Sequence, residues 1–123
     1  MIYTSYFANI RKLPRNCVPI SIALKSPNFY VGKVYKRLAP TSGILSSYKR
    51  TGDEEAYKLS FEQLVLRHLD AKTVEQQLKD LSKGAIPVLL CYEKPDSFCH
   101  RKLVRDWFRA NGVECKEFSE VNV

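Results

Sequence analysis

The sequence has no long apolar run, few glycines, and no acidic residue in its first 52 positions. No stretch approaches the ~20 apolar residues that a membrane-spanning helix needs. Residues 1–7 lack the charged lead and the apolar block of a signal peptide. With only five glycines, the chain also has no glycine-rich loop of the kind that cradles phosphates. These absences predict a cytoplasmic protein that has no membrane partner.

The missing carboxylates make the charge distribution one-sided. The first 52 residues contain nine lysines and arginines, and Asp53 is the first acid in the chain. The remainder holds 11 basic and 13 acidic residues and is therefore nearly neutral. A one-signed basic face attracts nucleic acid, nucleotides or phosphate. The same charge is equally compatible with a basic surface that has no specific partner.

The four cysteines form no recognisable pair motif. None of them has the two-residue spacing of a redox motif or a zinc knuckle: Cys17, Cys91, Cys99 and Cys115. A chain of 123 residues has enough core-forming side chains to fold without disulfides. In a reducing compartment such cysteines are free, buried, metal-bound or reactive. We therefore expect a fold that does not need disulfides.

The order of elements predicts a single α/β domain over residues 1–123. The segment 86–92 is almost continuously apolar, which is typical of a central parallel strand covered on both faces. The following helix and last strand complete a βαβ unit. The predicted fold is a three-layer, Rossmann-like arrangement in which helices flank a small, mainly parallel sheet. The predicted strands are 2–8, 18–24, 86–92 and 113–118, and the predicted helices are 42–48, 53–68, 74–82 and 98–111.

Chemically diverse side chains gather in residues 91–101, where the buried strand ends and the next helix begins. Ligands of open α/β sheets bind outside the carboxyl ends of the strands, and helix N-termini attract anions. Cys91 and Glu93 are two residues apart, so they point the same way from an extended strand. Cys99 lies in the predicted first helical turn, where the dipole favours a thiolate, and His100 follows it. We interpret Glu93, His100, Cys91 and Cys99 as candidate catalytic groups.

Helical spacing divides the following helix into two stripes. The stripe predicted to pack on the sheet consists of His100, Leu103, Val104, Trp107 and Asn111. His100 would therefore point inward, toward the end of the preceding strand. The second stripe, Arg101, Arg105 and Arg109, is expected to reach solvent or ligand. Arg101 is therefore a candidate for binding an anion, together with Lys25 after the second strand.

Each candidate also has a plain structural interpretation. Cys91 is compatible with a small core residue, and His100 with a half-buried histidine that caps the loop. An ion pair between Arg101 and Glu93 fits as well as a contact between Arg101 and a ligand phosphate. A zinc site from Cys91, Cys99, His100 and Glu93 is conceivable. It is disfavoured because neighbouring residues on a helix point about 100° apart. We expect no bound metal and no other cofactor.

Several segments together carry a likeness to a known family. Cys-x-Glu in residues 91–95 precedes Cys-His-Arg in residues 98–101, and further similar segments lie at 3–7, 20–23 and 36–40. In these segments the sequence resembles the uncharacterised domain-of-unknown-function family 488. The resemblance implies a small α/β fold and a bacterial or bacteriophage source, and it leaves the reaction open.

The likeness extends to the end of the first strand. Many members of that family carry Asp-Val-Arg there, and this chain has Asn9, Ile10 and Arg11. The arginine is thus present and the acid is not. The resemblance implies that Arg11 faces the same pocket as Arg101, where two guanidiniums would clamp a phosphate or carboxylate.

Two functions are compatible with these patterns. The first is a pocket for a small anionic, nucleotide- or nucleoside-like ligand, held by Arg11, Arg101 and Lys25, with hydrolysis, transfer or simple binding left open. The alternative is a non-enzymatic module that binds RNA, DNA or a protein through basic residues interleaved with aromatic ones. That second surface would consist of Tyr30, Lys33, Tyr35, Lys36, Arg37, Tyr48, Lys49 and Arg50. Packing of the loop explains these tyrosines better than base stacking does.

Overall fold

The computed structural model describes residues 1–93 and 97–118, and its centre is a five-stranded sheet. The strands are β1 (Ile2–Tyr6), β2 (Cys17–Ser21), β3 (Lys33–Val34), β4 (Ile86–Cys91) and β5 (Cys115–Glu117). The helices are α1 (Ser42–Thr51), α2 (Glu54–Leu64), α3 (Ala71–Leu81) and α4 (His100–Ala110). Shorter 3-10 helices span Phe7–Lys12, Lys36–Leu38 and Leu66–His68. The strand order is β3-β2-β4-β1-β5, and each pair is parallel. The predicted α/β fold is confirmed.

Strand β4 occupies the middle of the sheet, as its apolar run predicts. Val88, Leu89 and Leu90 are fully buried, and β4 pairs with β1 on one side and β2 on the other. Leu89 packs in the larger core cluster, and Val88 and Leu90 pack in the smaller one. Because side chains alternate along a strand, an unbroken apolar run fits only a strand that is covered on both faces.

The two faces of the sheet are covered differently. The larger core cluster joins the sheet to α1–α4 through side chains such as Phe61, Leu78 and Phe108. The smaller cluster lies under the 3-10 helix Phe7–Lys12, where Phe7 and Ile10 contribute. The residues that follow β2 and β4 lie beside α1 and α2, and a pocket opens between them. Within the described residues, no helix combines the length and the apolar character that crossing a membrane requires.

Local side-chain chemistry sets where the helices begin. The sequence offers Thr41 or Ser42 as the cap of α1, and the structure has Thr41, whose hydroxyl accepts a hydrogen bond from the Ile44 amide. The predicted start of α3 at residue 74 makes Thr73 its expected cap, but Asp70 caps the helix. Its carboxylate accepts hydrogen bonds from both the amide and the hydroxyl of Thr73. The helix therefore begins at Ala71, earlier than the predicted start at residue 74.

Two further boundaries differ from the sequence-based prediction. Strand β3 lies in a segment that we predicted to be a loop, and it pairs with Ile20 and Ser21 of β2. A two-residue strand is too short to show an alternating pattern. The predicted helix 53–68 is divided, because α2 ends at Leu64 and a 3-10 helix, Leu66–His68, follows.

The buried face of α4 differs from the predicted one, and this difference changes the candidate site. The residues that pack inward are His100, Arg101, Val104 and Phe108. Asn111 is exposed, and Leu103 and Trp107 are only partly buried. Arg101 is 0% exposed, so the prediction that it reaches solvent is wrong. The inward stripe is displaced toward Arg101 because the sheet offers this arginine a carboxylate partner.

We predict that Leu89→Ala lowers the free energy of unfolding by about 3 kcal/mol, since it leaves a cavity among fully packed neighbours. Leu59→Ala is the matched control, because Leu59 is 59% exposed on α2. The control should change stability by less than about 0.5 kcal/mol. Urea unfolding followed by circular dichroism measures both variants, and equal losses would contradict the central position of β4.

Candidate functional site

A pocket of about 490 Å³ opens at the carboxyl ends of β2 and β4. Its volume lies within the roughly 300–1,000 Å³ that small-molecule sites occupy. The loop after β2 forms one side and the first residues of α4 another, and α1 and α2 close the third. The residues that line the pocket include charged, aromatic and sulfur-containing side chains: Lys25, Lys49, Glu93, Tyr48, Tyr57, Phe98, Cys91, Cys99 and His100.

One wall of the pocket is aromatic. The rings of Tyr48, Tyr57 and Phe98 contact one another, with centroid separations of 5.5, 5.3 and 4.9 Å. Burial raises the pKa of Tyr57, and the negative charge of the nearby Glu93 raises it further. The phenol of Tyr57 is therefore neutral at physiological pH and available as a hydrogen-bond donor.

Charged groups stand at the mouth of the pocket. Lys25 follows β2, Lys49 lies on α1, and Glu93 follows β4, and all three residues are exposed. The hydroxyl of Tyr92 donates a hydrogen bond of 2.5 Å to the backbone oxygen of Lys25, which joins the two strand ends. Both lysines come from the acid-free first part of the chain. The predicted residues Lys25 and Glu93 thus lie at the same cavity.

Two cysteines form the floor of the pocket. Cys91 is the last residue of β4 and Cys99 is the N-cap of α4, and their sulfurs form a disulfide in the structure. This bond was not expected, because a sequence separation of 8 matches no redox motif. We predicted that Cys99 lies in the first helical turn. Its backbone is instead extended, with φ −153° and ψ 143°, because α4 begins at His100, two residues later than predicted.

The other two cysteines lie elsewhere in the core. Cys17 and Cys115 are buried and not disulfide-bonded. Burial raises the pKa of both thiols, that of Cys115 to about 12. They therefore remain protonated at physiological pH and have little reactivity.

His100 points inward, as its predicted position on the sheet-facing stripe requires. Its Nε2 lies 2.8 Å from the backbone oxygen of Ile22, and its Nδ1 lies 3.9 Å from Sγ of Cys99. Because a carbonyl oxygen only accepts, Nε2 carries the hydrogen, and Nδ1 presents a lone pair toward the sulfurs. Burial lowers the pKa of His100 to about 4, and the charge of Arg101 acts in the same direction. The imidazole is therefore neutral at physiological pH.

The ligand atoms of Cys91, Cys99 and His100 lie within 4.8 Å of one another. We argued above that adjacent positions on a helix separate Cys99 from His100 by about 100°. That argument does not apply, because only His100 is helical. An extended N-cap residue directs its side chain differently, so the thiol and the imidazole meet over the end of β4.

Arg101 is wholly enclosed and paired with an acid that the sequence did not reveal. Its Nε and one terminal nitrogen each donate a 3.0 Å hydrogen bond to the carboxylate of Glu117 on β5. The hydroxyl of Thr4 donates a 2.6 Å hydrogen bond to the same carboxylate. The ion pair of Arg101 is therefore with Glu117. It replaces both the expected ion pair with Glu93 and the expected contact with a ligand phosphate.

The remaining terminal nitrogen of Arg101 faces the end of β4. It donates to Sγ of Cys91 at 3.0 Å and to the backbone oxygen of Glu93 at 2.5 Å. The guanidinium also lies 5.7 Å from the ring centre of Tyr6. Arg101 thus holds Cys91 and Glu93 in place from beneath, and it is a positioning residue.

Arg11 lies apart from this site. It is exposed on the 3-10 helix Phe7–Lys12, and it is not among the described residues that line the pocket. Because Arg101 is enclosed, the expected clamp of two guanidiniums does not form. Among the described residues, Lys25 and Lys49 are the cations at this cavity.

The sequence analysis missed part of the site. Tyr57 lies within the predicted helix 53–68 and was not a candidate, and Tyr48 and Lys49 were candidates only for a nucleic-acid surface. Their meeting with Cys91 and Glu93 depends on how α1 and α2 pack together, which no local pattern encodes. The acid-free first part of the chain was the one signal that pointed to a basic rim.

We predict that Arg101→Met lowers the free energy of unfolding by about 3–5 kcal/mol, because the buried Glu117 loses its counter-charge. Arg67→Met is the control, since Arg67 is exposed on the 3-10 helix Leu66–His68. This variant should change stability by less than about 0.5 kcal/mol. Chemical unfolding distinguishes them. A stable Arg101→Met protein would show that the ion pair is dispensable.

A comparison with protein-family models places the chain. The model of the DUF488-N3a family, which is described as the active DUF488-N3 subclade, matches residues 8–112. Searches of curated proteins and of solved structures find no significant match. The matched range contains the pocket and the Cys91–Arg101 segment, and it confirms the resemblance seen in the sequence. The chain belongs to the DUF488-N3a family.

Proposed function

We propose that the pocket binds a small anionic ligand with a planar ring, of the nucleotide or nucleoside type. The observation that carries this proposal is the presence of an aromatic wall and two lysines on one cavity of about 490 Å³. The wall suits the ring, and the lysines suit a phosphate or another anion.

The aromatic wall offers a surface for stacking. Tyr48 and Phe98 are only partly buried and both line the pocket, so ring surface remains toward the cavity. A base stacked on an aromatic side chain gains about 1–3 kcal/mol, and the gain depends little on which base it is. The neutral hydroxyl of Tyr57 adds a donor for a ring nitrogen or oxygen.

The anion would be held by lysines rather than by arginines. The guanidinium of Arg101 already donates to Glu117, Cys91 and Glu93, so it supplies charge to the interior and no contact to a ligand. Lys25 and Lys49 approach the cavity from two separate elements. A flexible ammonium group acts as a point charge, which suits a phosphate that enters through an open mouth.

Glu93 is the group best placed for acid–base chemistry on a bound ligand. It is exposed at the cavity, and its charge reaches the phenol of Tyr57. In hydrolysis or transfer, it would take a proton from the attacking group. The description of the family as an active subclade supports a chemical role. A cytoplasmic location belongs to the proposal, and in that reducing compartment Cys91 and Cys99 would be thiols and not the disulfide described above.

The alternative of a nucleic-acid surface has weaker support. The hydroxyl of Tyr30 lies 2.6 Å from the backbone oxygen of Lys33 and 3.2 Å from that of Pro19, and its ring packs on Phe7. Tyr35 is buried and bonds to Gln77. These tyrosines therefore pack the loop, and their rings do not form a platform for stacking. The basic charge and the ring of Tyr48, which lines the pocket, remain as arguments for nucleic acid.

We expect AMP and UMP to bind more tightly than adenosine and uridine in calorimetric titrations, because the nucleosides lack the phosphate. Lys25→Ala and Lys49→Ala should each weaken AMP binding about 5-fold, which is the size of one solvent-exposed charge contact. Adenosine binding should change by less than about 2-fold. If no nucleotide or nucleoside binds the wild-type protein, the proposal is wrong.

Lys12→Ala is the matched control for these variants. Lys12 belongs to the same acid-free part of the chain and is exposed on the 3-10 helix Phe7–Lys12, away from the pocket. It should leave AMP binding unchanged. A gel-shift assay with single-stranded RNA at rising salt tests the alternative. A steep salt dependence that Lys36→Ala reduces would favour a nucleic-acid surface over the pocket, because Lys36 is exposed and belongs to the alternative surface.

A further inference from the structure

We propose that Cys91, Cys99 and His100 bind a zinc ion at the floor of the pocket when the two cysteines are reduced. Two sulfurs and one imidazole nitrogen lie within 4.8 Å of one another. Thiolate and imidazole are the ligands that zinc prefers in proteins, and three protein ligands are the usual number in an open site. All three residues are buried, so the ligands are already removed from bulk water.

The orientation of His100 suits a metal ligand. Its Nε2–H donates to the backbone oxygen of Ile22, and its Nδ1 faces Sγ of Cys99. Metal-binding histidines usually donate their second ring hydrogen to a carbonyl or a carboxylate, which fixes the ring and the tautomer. Ile22 directly follows β2, so the sheet itself supplies this support.

The backbone positions of the two cysteines also suit a shared ion. Their Cα atoms are 7.3 Å apart. Disulfides usually join Cα atoms about 4.4–6.8 Å apart. Two thiolates on one tetrahedral zinc ion have sulfurs roughly 3.8 Å apart, given zinc–sulfur bonds of about 2.3 Å. The separation between the end of β4 and the start of α4 is therefore suited to a bridging metal.

The surroundings favour thiolates at this point. A terminal nitrogen of Arg101 donates to Sγ of Cys91 at 3.0 Å, and Cys99 is the residue directly before the first turn of α4. A guanidinium and the positive end of a helix both stabilise a neighbouring negative charge. The two thiolates would then neutralise the charge of the ion, and Glu117 already neutralises Arg101.

The fourth position of the ion would face the cavity. Cys91, Cys99 and His100 all line the pocket, and Glu93 lies in the same lining. A zinc ion with two cysteines, one histidine and an open position can bind water or an oxygen of a ligand. Glu93 is placed to accept a proton from such a water. The metal site rests on its own ligands and does not depend on which molecule occupies the pocket.

The oxidised and the metal-bound forms are related by a balanced exchange. A dithiol reductant gives two electrons and two protons to the Cys91–Cys99 bond and becomes a disulfide itself. Two thiols result. Zinc binding then displaces one proton from each thiol into water.

The test uses the full chain, reduced and kept free of oxygen, with Co²⁺ as the probe. We expect one equivalent of Co²⁺ to give the visible bands of a tetrahedral site and a near-ultraviolet thiolate charge-transfer band. Zinc should displace the cobalt. Cys91→Ser and Cys99→Ser should each weaken cobalt binding at least 10-fold and reduce the charge-transfer band. Cys17→Ser and Cys115→Ser are matched controls and should retain both signals.

A second measurement avoids the risk that a variant fails to fold. In the reduced wild-type protein, zinc should slow alkylation of Cys91 and Cys99 by iodoacetamide at least 10-fold, as read by mass spectrometry. Reduced wild-type protein without a cobalt band, or with the band unchanged in the Cys91→Ser and Cys99→Ser variants, overturns the proposal. So does a pair that simply re-forms its disulfide and binds neither metal. Titration of AMP into the oxidised protein is independent of all these outcomes.

Discussion

The buried pair of Arg101 and Glu117 is the interaction on which the rest of this structure depends. Both charges are removed from water, which costs several kcal/mol for each ion unless the geometry offsets it. Here the carboxylate accepts two hydrogen bonds from the guanidinium and a third from Thr4, so little of its charge is unsatisfied. The pair joins α4 to β5 and, through Thr4, to β1. Replacement of either partner would leave a lone charge inside the protein.

The same guanidinium determines the shape of the candidate site. Its remaining nitrogen holds Sγ of Cys91 and the backbone oxygen of Glu93, so the end of β4 is fixed relative to the start of α4. His100 is the residue before Arg101, and its ring is fixed from the other side by Ile22. An arginine that touches no ligand therefore positions a thiol, a carboxylate-bearing turn and an imidazole. This explains how a fully enclosed arginine can shape a site without lining it.

The sequence predicted the centre of the fold well, because strong patterns have one explanation. An unbroken apolar run such as 86–92 fits a covered central strand, and the candidate residues that follow it do lie at one cavity, apart from Arg101. The prediction of the buried helix face was wrong at a residue whose burial is unusual for its amino-acid type. Arginine is almost never fully buried, so the helical stripe was assigned with Arg101 outside. Its partner Glu117 is a lone acid in the last strand, and nothing local marks it.

The sequence predicted only part of the pocket, because the residues that form its walls are far apart in the chain. Tyr48 lies on α1 and Tyr57 on α2, and Phe98 lies much later in the chain, between β4 and α4. The three rings nevertheless contact one another. A period of 3.6 residues tells which face of a helix is buried, but not which other element covers it. The short loop between α1 and α2, with Gly52 at φ 67°, sets that contact.

The electrostatics of the pocket divide into two independent parts. In the interior, Glu117 balances Arg101, and two thiolates would balance a zinc ion, so the floor carries little net charge in either state. At the mouth, the charged groups of the described residues are Lys25, Lys49 and Glu93, and both lysines come from the acid-free first part of the chain. In the proposed function, the two lysines would therefore attract the anion whether or not a metal is bound. The proposed zinc ion would act at the floor of the pocket, and the lysines would act at its mouth.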